Sequence, residues 1–246
     1  MTRYKIIIEY DGTPFVGWQK QENGLAVQEC IEESIFQLFE ERTSVYGAGR
    51  TDTGVHAMGQ VGHFDINEKY LDPLTVTNGL NNYLKPNPVS IINTEKVDDY
   101  FHARFSAKER KYIYRIINRS SPLTFEKNRA WHVFKDLNLD KMIECISFIE
   151  GKHDFTTFRS SHCQSESPIK TLKEVKITKQ DEDVYFGFVA KSFLHHQVRS
   201  LVGSLKLVGE NTWTPQDFQI ALQSKDRSRC GALAPPKGLY FMDVKY

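Results

Sequence analysis

The two halves of the chain repeat one arrangement of strand-like and helix-like segments, and this repeat constrains the fold more than any other feature. In the first half, a β-type run at 4–10 precedes an amphipathic helix, and two strands bracket a turn around residue 52. The second half again mixes β-type runs, from 110–117 onward, with helices near 138–149 and 195–208. We therefore predict an α+β protein of two related lobes with mainly antiparallel sheets.

The individual elements follow from periodicity and from capping residues. One helix carries an apolar stripe from Val27 to Phe39, Asp72-Pro73 opens a second, and Thr214-Pro215-Gln216-Asp217 caps another. The predicted lobes span residues 1–106, which contain the Asp52 turn, and residues 107–246. The predicted strands are 4–10, 44–48, 61–66, 89–97, 110–117, 169–178, 184–193 and 239–244.

Size and charge narrow the class of protein. A chain of 246 residues can form one large domain or two small ones, and 40% hydrophobic with 26% charged residues is ordinary for a globular protein. The net charge is only +1, so a nucleic-acid partner would have to bind local basic patches. No segment approaches the roughly 20 apolar residues of a membrane helix. The first residues lack a signal-peptide cleavage pattern, so we expect a cytoplasmic protein.

Cysteine and histidine residues do not show metal-site spacing. The four cysteines are scattered without a CxxC pair, and Cys30 and Cys145 fall on apolar helical stripes, where buried thiols are expected. His153, His162 and the pair at 195–196 lack the spacing of a zinc ligand set. We therefore expect solvent-exposed or core histidines rather than zinc ligands.

The turn at residues 49–57 is the strongest indication of chemistry. It reads Gly-Arg-Thr-Asp-Thr-Gly-Val-His-Ala and places the Asp52 carboxylate between two glycines, two residues after Arg50. Glycine permits the backbone dihedrals of a tight turn, and rigid loops between strands often carry functional side chains. Single-lobe aspartic proteases also contain Asp-Thr-Gly, but they require a carboxylate pair that shares a proton, which a nearby arginine opposes. We therefore set the protease interpretation aside.

A second candidate lies on the helix near 195–208. Ser192, His195, Arg199, Gly203 and Lys206 share one flank by the helical repeat. From spacing alone, a solvated basic face is the favoured interpretation. The functional alternative is that Arg199 pairs with Asp52 and holds that carboxylate ionised and oriented.

Residues 101–105 and 110–115 interleave basic and aromatic side chains. Such mixtures suit RNA, because cations meet phosphates and rings stack on unpaired bases. The ordinary alternative is a strand with one buried aromatic face and one charged, hydrated face.

Taken together, these motifs resemble the tRNA pseudouridine synthase A (TruA-type) family. The resemblance runs in family order over essentially the whole chain. It rests on the following segments: 10–12, 15–19, 27–28, 49–57, 99–107, 110–114, 155–159, 193–199 and 234–239.

The resemblance implies a function and a set of site residues. Asp52 would be the catalytic aspartate of uridine-to-pseudouridine isomerisation, and Arg50 would enter the RNA helix as the target base leaves it. Tyr112 would pack on the uracil, Arg199 would pair with the carboxylate, and Leu239 would line the pocket. The family fold joins the sheets of two lobes, with the active-site cleft between them, and works as a homodimer without metal or cofactor. The implied partner is tRNA, modified at family positions 38, 39 and 40 of the anticodon stem-loop.

Two departures from the family pattern, at Lys191 and Gln197, fall outside these site residues and bear on local RNA contacts. Two alternatives from other classes remain at this point. One is a tRNA-binding or folding protein whose catalysis is incidental, against which the intact residue set argues. The other is a metal-dependent hydrolase, which lacks a ligand cluster in the sequence.

Overall fold

The computed structural model describes residues 1–67 and 70–246. The chain forms two compact units. The first contains Met1–Lys108 together with Tyr240–Tyr246, and the second contains Glu109–Leu239. Within the described residues, no helix is long and apolar enough to cross a membrane.

The first unit is built on a sheet with the strand order β4-β1-β3-β10. Its central strand β1 pairs antiparallel with β3 and β4, whereas β10 runs parallel to the start of β3. A short strand, β2, pairs with the later part of β3. The strands of this unit are β1 (Thr2–Tyr10), β2 (Tyr46–Gly47), β3 (His56–Ile66), β4 (Val89–Val97) and β10 (Leu239–Lys245, whose first residue belongs to the second unit).

Alternation in β1 decides which face of this sheet is covered. Tyr4, Ile6 and Ile8 are fully buried, whereas the residues between them are partly exposed. Helix α1 (Val27–Phe39) buries its apolar stripe, and helix α2 (Pro73–Leu84) begins at the predicted cap, where Asp72 accepts from the Thr75 N–H. The predicted helices of this lobe are therefore confirmed.

The second unit is built on an antiparallel sheet with the order β5-β9-β8-β7, and β6 pairs parallel with β5. Its buried face comes from alternate residues such as Tyr112, Tyr114 and Phe188. The predicted terminus of β9 at Phe193 is three residues too long. The strands are β5 (Glu109–Asn118), β6 (Trp131–Val133), β7 (Gly151–Asp154), β8 (Ile169–Gln180) and β9 (Asp183–Ala190).

The helices of the second unit differ from prediction at one point. The segment 138–149 forms two short helices, α3 (Leu139–Glu144) and α4 (Ile146–Ile149), rather than one. At the junction the Phe148 N–H donates to the Cys145 carbonyl, a tighter i→i−3 bond than the α-helical one. Helices α5 (Gln197–Gly209) and α6 (Pro215–Ser224) lie where predicted, and Thr214 with Asp217 forms the capping box of α6.

The α+β class with mainly antiparallel strands is confirmed. The chain passes from the first unit to the second after Lys108, and Tyr240–Tyr246 belongs to the first unit again. The reason is strand pairing: Tyr240 and Phe241 lie opposite His56 and Ala57 on β3. Cys30 and Cys145 are buried free thiols, as predicted, and burial raises their pKa values to about 11 and about 12.

Candidate active site

The loop that carries Asp52 is braced by main-chain hydrogen bonds to the segment before α1. The Trp18 N–H donates to the Thr51 carbonyl at 3.0 Å, and Gly17 forms a bridge with Asp52. Within the loop, the Val55 N–H donates to the Asp52 carbonyl at 3.1 Å. Because backbone groups make these bonds, they fix the loop path without depending on side-chain rotamers.

A glycine is required where the two segments touch. Gly17 has a φ of +118°, and a Cβ placed there would lie 2.6 Å from the Thr51 carbonyl oxygen. Both the left-handed backbone and the close approach exclude larger residues. Gly54, on the other side of the carboxylate, has a φ of 75°. The glycines of this region therefore allow the chain to present Asp52 on a tight turn, as the sequence predicts.

A buried tyrosine supports the loop from below. The Tyr10 hydroxyl and Thr51 Oγ1 are 2.7 Å apart, and both residues are buried. Burial raises the pKa of Tyr10, so its hydroxyl stays protonated at neutral pH. This hydrogen bond anchors the side chain of Thr51, the residue directly before Asp52.

The side chains of residues 50–52 differ in their exposure to solvent. Thr51 is buried, Asp52 is half-buried, and Arg50 is exposed. A partly enclosed carboxylate next to an exposed guanidinium suits a site that reacts with one part of a ligand and contacts another part. Arg50 and Asp52 are thus brought together on one braced turn of the first unit.

In the second unit, Arg199 is buried rather than solvated. Its side chain on α5 is 8% exposed, and Nε–H donates to the Ala234 carbonyl at 2.8 Å. The Ala234 N–H donates in turn to the Arg199 carbonyl. The solvated face favoured by spacing alone is therefore wrong for this residue, because residues 232–235 cover that part of the helix. His195, on the same flank, is exposed.

Residues 232–239 are held between α5 and β5, and we call this segment the clamp. On the helix side, a Cβ at Gly203 would lie 1.8 Å from the Ala232 carbonyl oxygen. On the strand side, the Tyr114 hydroxyl donates to the Pro235 carbonyl at 2.8 Å, and a Cβ at Gly238 would lie 2.7 Å from the Tyr114 ring. Close approach on both sides sets the path of the chain into Leu239, which is buried.

Tyr112 lies on β5, two residues before Tyr114 and on the same buried face of the strand. Its ring meets the Phe193 ring edge to face, with centroids 5.0 Å apart and planes at 83°. This contact restricts the orientation of the Tyr112 ring. The alternative interpretation of 110–115 was a strand with a buried aromatic face and a hydrated charged face. It fits Lys111, which is exposed, but it does not fit Arg110, which is buried.

Sequence reasoning assigned no role to Tyr114 or to the Ala234 carbonyl, which support the clamp and Arg199. Burial raises the pKa of Tyr114 well above its ordinary value, and the nearby Arg199 guanidinium acts in the opposite direction. The Ala234 carbonyl orients Arg199 directly, and Tyr114 supports that segment through the Pro235 carbonyl. The alternation Tyr112-x-Tyr114 indicates that Tyr114 lies on the same face as Tyr112, since residues two apart on a strand share a face. The main-chain carbonyl of Ala234 leaves no sign in the sequence.

Comparison with known proteins gives the class to which this fold and site belong. The family described as tRNA pseudouridine synthase matches residues 6–106 and 146–246. Among curated relatives, "tRNA pseudouridine synthase A" of Ehrlichia chaffeensis is 50% identical over 245 residues, covering 99% of this chain and 100% of the relative. The protein of the same name from Parvibaculum lavamentivorans is 49% identical over 246 residues, with 100% of both chains covered.

These matches extend over both units and include residues 49–57 and 193–199. They define an RNA-modifying isomerase that acts on tRNA. The chain belongs to the tRNA pseudouridine synthase family.

Proposed function

We propose that this protein converts uridine to pseudouridine on the 3′ side of the anticodon stem-loop of tRNA, with Asp52 as the catalytic residue. The observation that carries the proposal is the braced loop, which holds one half-buried carboxylate beside an exposed arginine. A carboxylate carried on a loop that main-chain bonds hold in place is preorganised for attack on, or proton transfer with, a ligand.

The reaction needs little beyond such a group. The bond between uracil N1 and the sugar C1′ breaks, a bond between C5 and C1′ forms, and the hydrogen on C5 is replaced while N1 gains one. Atoms and electrons balance without water, oxidant or cofactor. Asp52 can serve as a nucleophile at C6 of the base or at C1′ of the sugar, or as a base at the 2′ carbon.

The remaining residues have roles in binding. A uridine inside a stem must be extruded before it reacts, and the exposed Arg50 is suited to occupy the space left or to contact the backbone. Tyr112 stacks on the extruded ring, and Leu239 contributes an apolar wall. Arg199 is the proposed partner of the Asp52 carboxylate, and its Nε–H donates to the Ala234 carbonyl, which holds the guanidinium in place.

The proposed setting is the cytoplasm, where tRNA is processed, and the proposed working unit is a homodimer. The homodimer rests on the family resemblance, and the cytoplasmic setting rests on the tRNA substrate. A net charge of +1 means that tRNA binding depends on local basic side chains rather than on total charge, so affinity should fall steeply with salt.

The test is pseudouridine formation in an unmodified tRNA transcript, mapped by carbodiimide labelling and primer extension. The wild type, Asp52→Asn and Asp52→Ala are assayed without added metal or cofactor. We expect product from the wild type only, with both variants reduced by at least about 1,000-fold, because removal of a catalytic group leaves only binding and orientation effects.

The matched control is Asp243→Asn, which removes an exposed carboxylate from the same unit and should leave product formation unchanged. Thermal unfolding should show that all variants fold. Product from Asp52→Ala would remove the catalytic role, and tRNA binding without product from the wild type would instead support a binding protein.

A further inference from the structure

Three rings of the first unit form a continuous surface that the proposed reaction does not use. The Tyr46 and His102 ring centroids are 5.8 Å apart, and those of His102 and Phe105 are 4.4 Å apart. Tyr46 is 52% exposed and Phe105 is 75% exposed. We call these three residues the aromatic row.

The turn that carries His102 and Phe105 is held rigidly. The Arg104 N–H donates to His102 Nδ1 at 3.1 Å, and the Ser106 N–H closes the turn on the His102 carbonyl at 2.9 Å. At its centre, Ala103 is fully buried. Its N–H donates to His63 Nδ1 at 3.2 Å, and its carbonyl accepts from the Tyr246 hydroxyl at 2.9 Å.

The segment just before the turn is anchored as well. The Arg3 guanidinium forms a two-bond ion pair with Asp65, at 2.7 and 2.8 Å. The same side chain donates to the carbonyls of Asp99 and Phe101. Because this loop is fixed, its exposed rings lose little conformational entropy when a ligand binds. An ordinary mobile loop would lose more.

The charge of this turn favours an anionic partner. Residues 101–108 read Phe-His-Ala-Arg-Phe-Ser-Ala-Lys and contain two cations and no acidic side chain. The Arg104 guanidinium lies over the Phe105 ring, 5.6 Å from its centroid. The two acidic residues that come before it in the sequence, Asp98 and Asp99, lie outside the turn. Asp99 interacts electrostatically with Arg3.

We propose that the aromatic row binds unpaired bases of the RNA substrate by stacking, with Arg104 contacting the adjacent phosphate. The proposal rests on the proposed function for the identity of the RNA as tRNA. Aromatic platforms beside cations are the usual means of binding single-stranded RNA, because every base offers a π face. An interface with a second copy of this chain is the competing use, and the cationic turn disfavours a contact of the row with itself, because such a contact would bring like charges together.

The experiment compares Phe105 variants in binding to an unmodified tRNA transcript by fluorescence anisotropy. We expect Phe105→Ala and Phe105→Leu to weaken the Kd by about 5- to 100-fold, since each removes the stacking ring. Phe105→Trp should stay within about 3-fold of the wild type, and its indole fluorescence should be quenched by the stacked base. Arg104→Gln should reduce the slope of log K against log salt by about 1.

The matched control is Phe134→Ala in the second unit, because Phe134 is also 75% exposed and lies outside the aromatic row. It should leave the Kd within about 2-fold of the wild type. Equal affinity of Phe105→Ala and Phe134→Ala, with wild-type binding intact, overturns this inference and leaves the proposed function standing. No tRNA binding by the wild type overturns both. A change of sedimentation in Phe105→Ala with unchanged tRNA affinity identifies the row as a contact between copies.

Discussion

The Asp52 loop of the first unit and the clamp of the second unit position proposed site residues by different means. The loop carries Arg50 and Asp52 within one turn, and it is held mostly by main-chain bonds, including bonds to residues 17–18 much earlier in the chain. The clamp is held by side-chain bonds from Tyr114 on β5 and Arg199 on α5, so its site residues come from separate elements of the second unit. A local motif can therefore be recognised from its residues, whereas a site assembled from distant segments depends on how the helix and the strand pack.

The two regions share one physical requirement, which is close approach of backbones. In the loop, Gly17 meets the Thr51 carbonyl, and in the clamp, Gly203 meets the Ala232 carbonyl. The difference lies in the backbone itself, because Gly17 has a left-handed φ and Gly203 is helical. Substitutions at these glycines separate strain in the local backbone from strain in packing.

The largest effect on stability is expected from Gly203→Ala. The added Cβ would lie 1.8 Å from a main-chain oxygen, so the clamp must move away from α5. Alanine favours the helix by about 1 kcal/mol, whereas overpacking against a main-chain atom costs about 3 kcal/mol or more, so we expect a net loss of at least about 2 kcal/mol in the free energy of unfolding. Chemical denaturation measures the loss, and pseudouridine formation should fall because Arg199 loses its support.

Two comparisons sharpen this prediction. Gly17→Ala should destabilise the first unit through its positive φ and its 2.6 Å approach to Thr51. Gly187→Ala is the control, since the nearest atom to its added Cβ is 3.9 Å away, and it should change stability by less than about 1 kcal/mol. A Gly203→Ala protein as stable as Gly187→Ala would show that the clamp does not depend on this close approach.

A pH effect of similar size is expected in the first unit. Burial lowers the pKa of His63 to about 4, with His102 and Arg3 acting in the same direction and Asp65 opposing them. Between about pH 6.5 and 4 the unfolded chain binds more protons at this residue than the folded protein does. Stability should therefore fall as the pH falls through this range, by up to about 3 kcal/mol, and should be independent of His63 at higher pH.

The control for this effect is His63→Asn, because the Asn oxygen can replace Nδ1 as the acceptor for the Ala103 N–H without titrating. Hydrogen exchange at pH 5 should show lower protection in residues 99–106 of the wild type than of this variant, and equal protection in α5. Equal pH profiles for the two proteins would exclude His63 as the source.

The smallest effects are expected from Tyr10→Phe and Tyr114→Phe, which test the side-chain anchor of each region. Each removes one hydrogen bond, to Thr51 in the loop and to Pro235 in the clamp. We expect a loss of about 1 kcal/mol in each case. The double variant should show additive losses in stability, because the two bonds share no partner. Coupling well above about 0.5 kcal/mol would contradict independent anchoring.

Much of the secondary structure was predictable because its signals are local. Alternation located β1 within two residues and β4 at both ends, and the caps at Asp72 and Thr214 marked the starts of α2 and α6. Such patterns act through nearest neighbours, so no knowledge of the remaining chain is needed.

Two features that were not predicted, β7 and the break between α3 and α4, depend on packing against other segments of the chain. The strand β7 reads Gly-Lys-His-Asp, without apolar alternation, and it forms because β8 offers an edge for pairing. The break between α3 and α4 leaves Met142, Cys145 and Ile149 buried, but Ile143, predicted on the apolar face, is largely exposed. These outcomes reflect tertiary packing, which overrides local propensity.

For the candidate site, the sequence by itself determined a rigid glycine-flanked turn that carries Arg50 and Asp52, and its motifs indicated the family. The reason is that turn chemistry is local. Only the tertiary structure decided that Arg199 is buried against the Ala234 carbonyl, that Tyr114 supports the clamp, and that β10 completes the sheet of the first unit. Burial and strand pairing between distant segments are properties of the packed chain, and helical spacing cannot distinguish a covered arginine from a solvated one.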